Sequence, residues 1–314
     1  MNTNKLIQML RVAKKYYEYH MDQKEIAKTE GISNSTVSRM LNRAIELGYV
    51  KISIDYPLLS NEELGKELKK AYGLSEVFLV PVVVDEPGAV MIDTCKAAAA
   101  ALPRYVKSGT TIGTAWGSTM KCLASYIPDL QIQNTKIVQL NGRCSKTAMP
   151  VGADDMVEAM ARQARGDGYM IPAPVVVDSP KTAKMLREDS GVREALELAR
   201  NCHTAIFSIG LLSRESIMYR AGYLNEETYE QLQQERALGD ICSSYFDPAG
   251  RLVGENLEER RIGISLDELK KIPCKVGVVS GVQKAEALHG ALKGGYIDVL
   301  YADEEVGKAL LTFL

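Results

Sequence analysis

The sequence predicts an α/β protein with a small helix-turn-helix head and a largely parallel α/β body. Residues 23–44, "QKEIAKTEGISNSTVSRMLNRA", place apolar residues where two short helices cross, with a glycine at the turn between them. From residue 60 onward, β-branched apolar runs alternate with helical patterns, as in a mostly parallel sheet covered on both faces. The charge also divides: residues 1–55 carry nine Lys/Arg against six Asp/Glu, and the remainder 29 against 34. A mildly basic head on an acidic body fits nucleic-acid contact at one end. At 314 residues, two domains are expected, 1–56 for DNA binding and 57–314 for effector binding and oligomerisation.

In the head, "LIQMLRVAKKYYEYHM" has helical periodicity, with Leu6, Met9, Leu10, Ala13, Tyr16 and Tyr17 on the inner side of a supporting first helix. Ile26 and Ala27 sit on the next helix, Gly31 makes the turn, and Ile32, Val37, Met40 and Leu41 face back. Ser33 is a good N-cap for the following helix. The outer face then carries Ser33, Asn34, Ser35, Thr36, Ser38, Arg39, Asn42 and Arg43, with no acid between residues 31 and 45. Short hydrogen-bonding groups and arginines suit base edges and phosphates in a major groove. An αα-hairpin with a merely solvated face explains the apolar crossings but not that concentration. Val50, Ile52 and Ile54 alternate as a short strand, and Ser60 with Glu63 forms a capping box for a helix ending at Gly73.

In the body, strands are expected in "EVFLVPVVV", "TIGTAW", "TKIVQLNG", "MIPAPVVV", "TAIFSIG", "KVGVVSG" and "IDVLYAD". Helices are expected in "TCKAAAAALPRYV", "SPKTAKMLREDSGVREALELARN", "NEETYEQLQQER" and "VQKAEALHGALKGG". Ligands of such sheets bind outside the carboxyl ends of the strands. Three polar clusters fall there: Gly117-Ser118-Thr119, Asn141-Gly142-Arg143 and Gly281 to Lys284. A strand ending in glycine, followed by two hydroxyls where a helix begins, offers backbone N–H groups and hydroxyl donors to an anion. Lys284 would add a cation, unless it is a solvated first-turn lysine. Gly239-Asp240 is expected to end a helix. There Asp240 either accepts from paired sugar hydroxyls or only forms a turn, and "FDPAGR" makes a turn before a strand.

Other chemistry has no motif. The six cysteines and three histidines are scattered, so no metal site or cofactor is expected. No G-x-G-x-x-G, Walker loop or G-x-S-x-G elbow occurs. No apolar run is long enough to span a bilayer and no signal peptide opens the chain, so a cytoplasmic protein without a membrane partner is expected.

Together, "DQKEIAKTEGISNSTVSRML", "TIGTAWGSTM", "VQLNG", "GDICSSYFDPAGR" and "QKAEALHGALKGGYIDVLYADE" resemble the SorC family of sugar-responsive bacterial transcription regulators over nearly the whole chain. The resemblance implies an effector domain similar to ribose-5-phosphate and glucosamine-6-phosphate isomerases, assembled as a homo-oligomer, dimer or tetramer. It implies operator DNA and a phosphorylated sugar or polyol as partners. Carried over, the phosphate would lie against Gly117, Ser118, Thr119 and Lys284, and the sugar hydroxyls near Asn141, Gly142 and Asp240. Some relatives carry lysine where this chain has Asn141, and an amide cannot form a Schiff base, which leaves non-covalent hydrogen bonding at that position. The expected function is a non-enzymatic repressor of a carbohydrate operon. The alternative is an isomerase-like enzyme with an accessory DNA-binding head. Its candidate bases, Asp154, Asp155, Asp240 and His289, form no recognisable constellation in the sequence.

Overall fold

The computed structural model describes residues 3–50, 61–144 and 153–314, without the side chains of 153–155. The expected strand beyond Val50 and the Ser60 half of the expected capping box lie outside these residues. The chain divides into two compact units, Met1–Pro57 and Leu58–Leu314.

The first unit contains α1 (Thr3–Tyr17), α2 (Gln23–Glu30) and α3 (Asn34–Glu46). Asp22 caps α2, Gly31 closes it in the left-handed region at φ 67°, and Ser33 caps α3 by accepting from the Thr36 N–H at 3.2 Å. Met9, Val12, Ala13, Ile26, Val37, Leu41 and Ala44 form its core. The expected inner face of α1 needs one correction. Leu10 is 37% exposed while Val12 is fully buried, because the stripe runs Met9, Val12, Ala13, Tyr16 at three- and four-residue steps. Glu30 accepts from Arg11 and Lys15, each at 2.6 Å, tying α1 to the end of α2. Arg11 first, then Lys15, holds that carboxyl down at about 2.

The second unit opens with α4 (Glu62–Tyr72), capped by Asn61, whose side chain accepts from the Leu64 N–H at 3.2 Å. Then follow β1 (Glu76–Val80), α5 (Pro87–Ala101), β2 (Thr111–Thr114), α6 (Ser118–Ala124), β3 (Lys136–Gln139), α7 (Ala153–Gln163) and β4 (Asp167–Tyr169). Next come α8 (Pro180–Glu188), α9 (Ser190–Arg200), β5 (Thr204–Phe207), β6 (Gly210–Leu211), α10 (Ile217–Arg220), α11 (Glu226–Gln234), β7 (Gly239–Ile241) and β8 (Ser244–Phe246). The chain continues through α12 (Glu255–Arg260), α13 (Leu266–Lys270), β9 (Cys274–Val279), a 3-10 turn (Val282–Lys284), α14 (Ala285–Lys293), β10 (Val299–Asp303) and α15 (Glu304–Leu311).

Seven strands form one all-parallel sheet in the order β1-β10-β9-β5-β2-β3-β4, and β6-β7-β8 form a small antiparallel sheet. Side chains of the parallel strands alternate between two cores, as the two-residue period requires. Ile112, Ile137, Ile206 and Val278 pack with Cys95, Met120 and Met156 of α5, α6 and α7. Ala205, Phe207 and Val279 pack on the other face with Leu68, Leu288 and Leu310 of α4, α14 and α15. After β2 the chain moves to β3 on one side, and β5 returns to the other side of β2. The order therefore reverses between β2 and β5, where ligands of such sheets settle.

Three expectations change. "MIPAPVVV" forms only isolated bridges at Pro174 and Val176, because Pro172 and Pro174 bring no N–H to a ladder. The long helix from Ser179 breaks into α8 and α9 at Asp189, whose carboxylate accepts from Gly191 and Val192. Gly239-Asp240 belongs to strand β7, and the preceding helix already ends at Gln234. No helix among the described residues is long and apolar enough to cross a membrane.

Candidate functional site

The carboxyl ends of β2, β3, β5 and β9 meet the small sheet around a cavity of about 300 Å³. Gly117, Ser118, Thr119, Asn141, Asp240 and Lys284 all line it. Six of the seven effector residues expected from sequence are thus brought together from segments more than 160 residues apart.

Gly117 adopts φ 129° and ψ 172°, a conformation that L side chains rarely take. It turns the chain from β2 into α6, and no side chain caps that helix. Ser118 is exposed and Thr119 buried at this first turn. Opposite, Asp303 caps α15 with one carboxylate oxygen and with the other accepts the Gly281 N–H at 2.7 Å, fixing the loop that carries Lys284. Burial pulls the Lys284 ammonium below the usual lysine range, while the Asp240 charge pulls the other way.

Another stretch of the wall is built on one turn. Cys242 and Ser243 connect β7 to β8 with φ of 52° and 68°, so both central residues of this two-residue hairpin are left-handed without being glycine. Three contacts hold the strained turn. Asp240 accepts the Ser243 N–H at 2.9 Å, Asn141 donates its amide to the Ser243 hydroxyl at 3.1 Å, and Arg261 donates to the Cys242 carbonyl at 3.3 Å. Arg261 is itself buried and paired with Glu258 at 2.6 Å. Burial pushes the Asp240 carboxyl up to about 6, against the opposing pull of the Ser243 N–H, Lys284 and Arg261. Asn141 is 2% exposed, and its Oδ1 has no hydrogen-bond partner among the described residues. A buried acceptor on a cavity wall suits a donor, since buried polar groups are as a rule hydrogen-bonded.

Gly142 stands outside the cavity lining. Its N–H goes to the Ile262 carbonyl at 2.9 Å, its carbonyl accepts Trp116 Nε1 at 2.8 Å, and a Cβ would fall within 2.7 Å of the Pro174 carbonyl oxygen. Its role here is to seat Trp116, which does line the cavity. His289 is also elsewhere, bonded through Nδ1 to the Tyr72 hydroxyl at 2.8 Å. Asp154 and Asp155 lie outside the described side chains. Sequence reasoning missed Trp116, Ser208 and the segment Glu215 to Met218, all lining residues. No local pattern marks them, since only the tertiary fold turns them inward.

On α3, Asn34, Ser35, Arg39, Asn42 and Arg43 are exposed. Ser33 and Thr36 share a hydroxyl hydrogen bond at 2.8 Å, Arg39 leans on Thr36 at 3.4 Å, and Arg43 pairs with Glu46 at 2.7 Å. The Ser33 hydroxyl is occupied as a cap. Asn34, Ser35, Arg39 and Asn42 form an exposed polar face, with the Ser35 hydroxyl 2.9 Å from that of Ser33.

Residues 56–312 match the model of the sugar-binding domain family. The deoxyribonucleoside regulator of Bacillus subtilis is 31% identical over 97% of both chains. The chain belongs to the SorC family of transcriptional regulators. The sorbitol operon regulator of Klebsiella pneumoniae is 26% identical over 99% of both chains. Among solved structures, the full-length SorC regulator of that organism superposes with a TM-score of 0.74 at 24% identity, covering 99% of this chain and 100% of its own. A DeoR family regulator from Listeria monocytogenes gives 0.73 at 26%, covering 79% and 98%. The likeness to the full-length SorC structure spans both the helix-turn-helix head and the parallel α/β body of this chain.

Proposed function

We propose that this regulator is a cytoplasmic, homo-oligomeric repressor of a carbohydrate operon, released from or retained on operator DNA by a phosphorylated sugar or polyol. One observation carries the reading: six residues from four separate segments, five of them with polar side chains, line one cavity and bring hydroxyls, an ammonium, an amide and a carboxylate together. Gly117 to Thr119 and Lys284 suit the phosphate, because an anion needs N–H, O–H and ammonium donors together. Asn141 Oδ1 and Asp240 suit hydroxyls, which must donate to them. The operator would be read by Asn34, Ser35, Arg39 and Asn42, with Arg43 on the backbone.

Turnover is the competing reading, and its candidate bases in the cavity are the carboxylates of Asp240, raised to about 6, and Glu215. Binding without chemistry is favoured because the relatives are named as regulators. A thermal-shift screen of phosphorylated sugars on the full chain, each with its dephosphorylated counterpart, tests the reading. Ligand at a hundred times its dissociation constant adds about 2.7 kcal/mol of stability. The reading expects a hit that needs its phosphate and is recovered unchanged, by NMR, after incubation with the protein. A hit that loses nothing on dephosphorylation, or that is converted to an isomer, overturns it.

A further inference from the structure

Ser208 follows β5 at its carboxyl end and lines the cavity, yet its hydroxyl is buried and has no hydrogen-bond partner among the described residues. Leaving such a group unsatisfied is unfavourable, and a native fold that keeps one on a cavity wall keeps it for something absent from the protein itself.

The topology says which part of a ligand lies there. β5 sits between β2 and β9, in register with Thr114 opposite Ile206 on one side and Val276 opposite Ile206 on the other. Adjacent strands are about 4.8 Å apart. The end of β5 therefore stands between the turn carrying Gly117 to Thr119 and the loop carrying Lys284, at the point where the strand order reverses. Ile206 faces the core of α5, α6 and α7, and Phe207 faces the opposite core. Continuing the alternation puts Ser208 on the α6 side, where Ser118 and Thr119 begin that helix. An ammonium and two hydroxyl residues already flank this spot, so a third donor fits an acceptor-rich anion.

We propose that Ser208 is a phosphate-binding residue, its hydroxyl donating to the same phosphoryl group that Gly117 to Thr119 and Lys284 hold. The inference rests on the phosphate reading above and adds a residue to it. It also makes Ser208 a group whose removal harms the ligand complex and not the fold, since alanine replaces an unsatisfied polar atom with nothing.

The test uses the full-length protein and two minimal probes, inorganic phosphate and glycerol 3-phosphate, with glycerol as the control. Affinities come from titration calorimetry and ligand-free stability from thermal melting, for wild type, Ser208→Ala and Ser208→Thr. A lost hydrogen bond to a charged group is expected to weaken both phosphate probes about tenfold in Ser208→Ala. Ser208→Thr, which keeps the hydroxyl, stays within about threefold of wild type. The ligand-free Ser208→Ala protein melts at or above the wild-type temperature. Unchanged phosphate affinity in Ser208→Ala overturns the proposal, and so does a lowered melting temperature without ligand, which would mark a structural hydroxyl. A wild type that binds neither phosphate probe better than glycerol overturns the underlying phosphate reading, and that failure is visible before any variant is compared.

Discussion

Asn141, at the end of a strand of the parallel sheet, donates its side-chain amide to the hydroxyl of Ser243 in the hairpin turn of the small sheet, 3.1 Å away. Ser243 passes its own N–H to Asp240 at 2.9 Å. One residue in a left-handed turn thus sets two acceptors side by side on the cavity wall. With its amide committed, Asn141 is left with an open Oδ1. The site is built where two sheets meet, so its geometry depends on the hairpin turn whose Ser243 receives the Asn141 amide.

Asp240 makes that dependence measurable through pH. Burial pushes its carboxyl up to about 6, against about 4 for an exposed one. The folded protein therefore holds this proton more tightly than the unfolded chain. The stability it contributes is complete below pH 4 and is lost as pH rises through 6. Asp240→Asn removes the titration and keeps an acceptor for Ser243. Urea unfolding of both ligand-free proteins should show wild type losing about 2 kcal/mol relative to the variant between pH 4 and 7. Parallel curves would mean that Asp240 is not desolvated.

Arg261 supports the same turn from below, fully buried, donating to the Cys242 and Ile264 carbonyls and to both Glu258 oxygens. Arg261→Met strands the half-buried Glu258 carboxylate and should cost about 3–5 kcal/mol in chemical denaturation. Adding Glu258→Leu should recover part of that loss, because the stranded charge goes with it. The double variant should fold yet bind ligand weakly, its turn no longer pinned.

How much of this could be read from the sequence depended on how local each feature is. The turn Gly117-Ser118-Thr119 was legible because strand end, glycine and hydroxyls are neighbours in the chain. Asp240 was singled out as an acceptor and placed on the wrong element, a helix end, where the structure has strand β7. The two-residue hairpin after it reads Cys-Ser, with none of the Asn or Gly that announces such a turn. Gly142 was grouped with the ligand because it follows Asn141, whereas contacts with Ile262, Pro174 and Trp116 account for it. Ser208 carried no signal at all, since an unpartnered hydroxyl is a property of what packs around it. In the head, Leu10 and Val12 exchanged places on a helix face, a shift that periodicity alone does not resolve.

The exposed face of α3 predicts how DNA affinity divides between sequence and backbone. Arg39→Ala and Ser35→Ala should weaken binding to an operator selected by the wild-type protein far more than to random DNA. Each base-edge contact is worth about 1–3 kcal/mol of discrimination. Fluorescence anisotropy at one fixed salt concentration separates the cases, and equal losses on both DNAs would reduce these residues to backbone contacts.

A head of three helices buries little surface for tight specific binding, so the proposed operator binding calls for heads paired on repeated half-sites. Light scattering of the full chain at tens of micromolar should give a dimer or larger species. A strict monomer under those conditions would contradict the pairing.

One phosphoryl group is proposed to sit between the Gly117 turn and Lys284, and calorimetry with the phosphorylated sugar that best stabilises wild type decides whether it does. Each lost charge-assisted hydrogen bond should cost about 1.5–3 kcal/mol, or roughly ten- to a hundredfold in affinity. Thr119→Ala and Lys284→Ala should each show that loss, and the double variant should lose less than the sum, because both act on one group. The dephosphorylated sugar should bind all four proteins with equal weakness. Wild-type affinity for the phosphorylated sugar in both single variants would contradict the account, for the phosphate would then lie elsewhere.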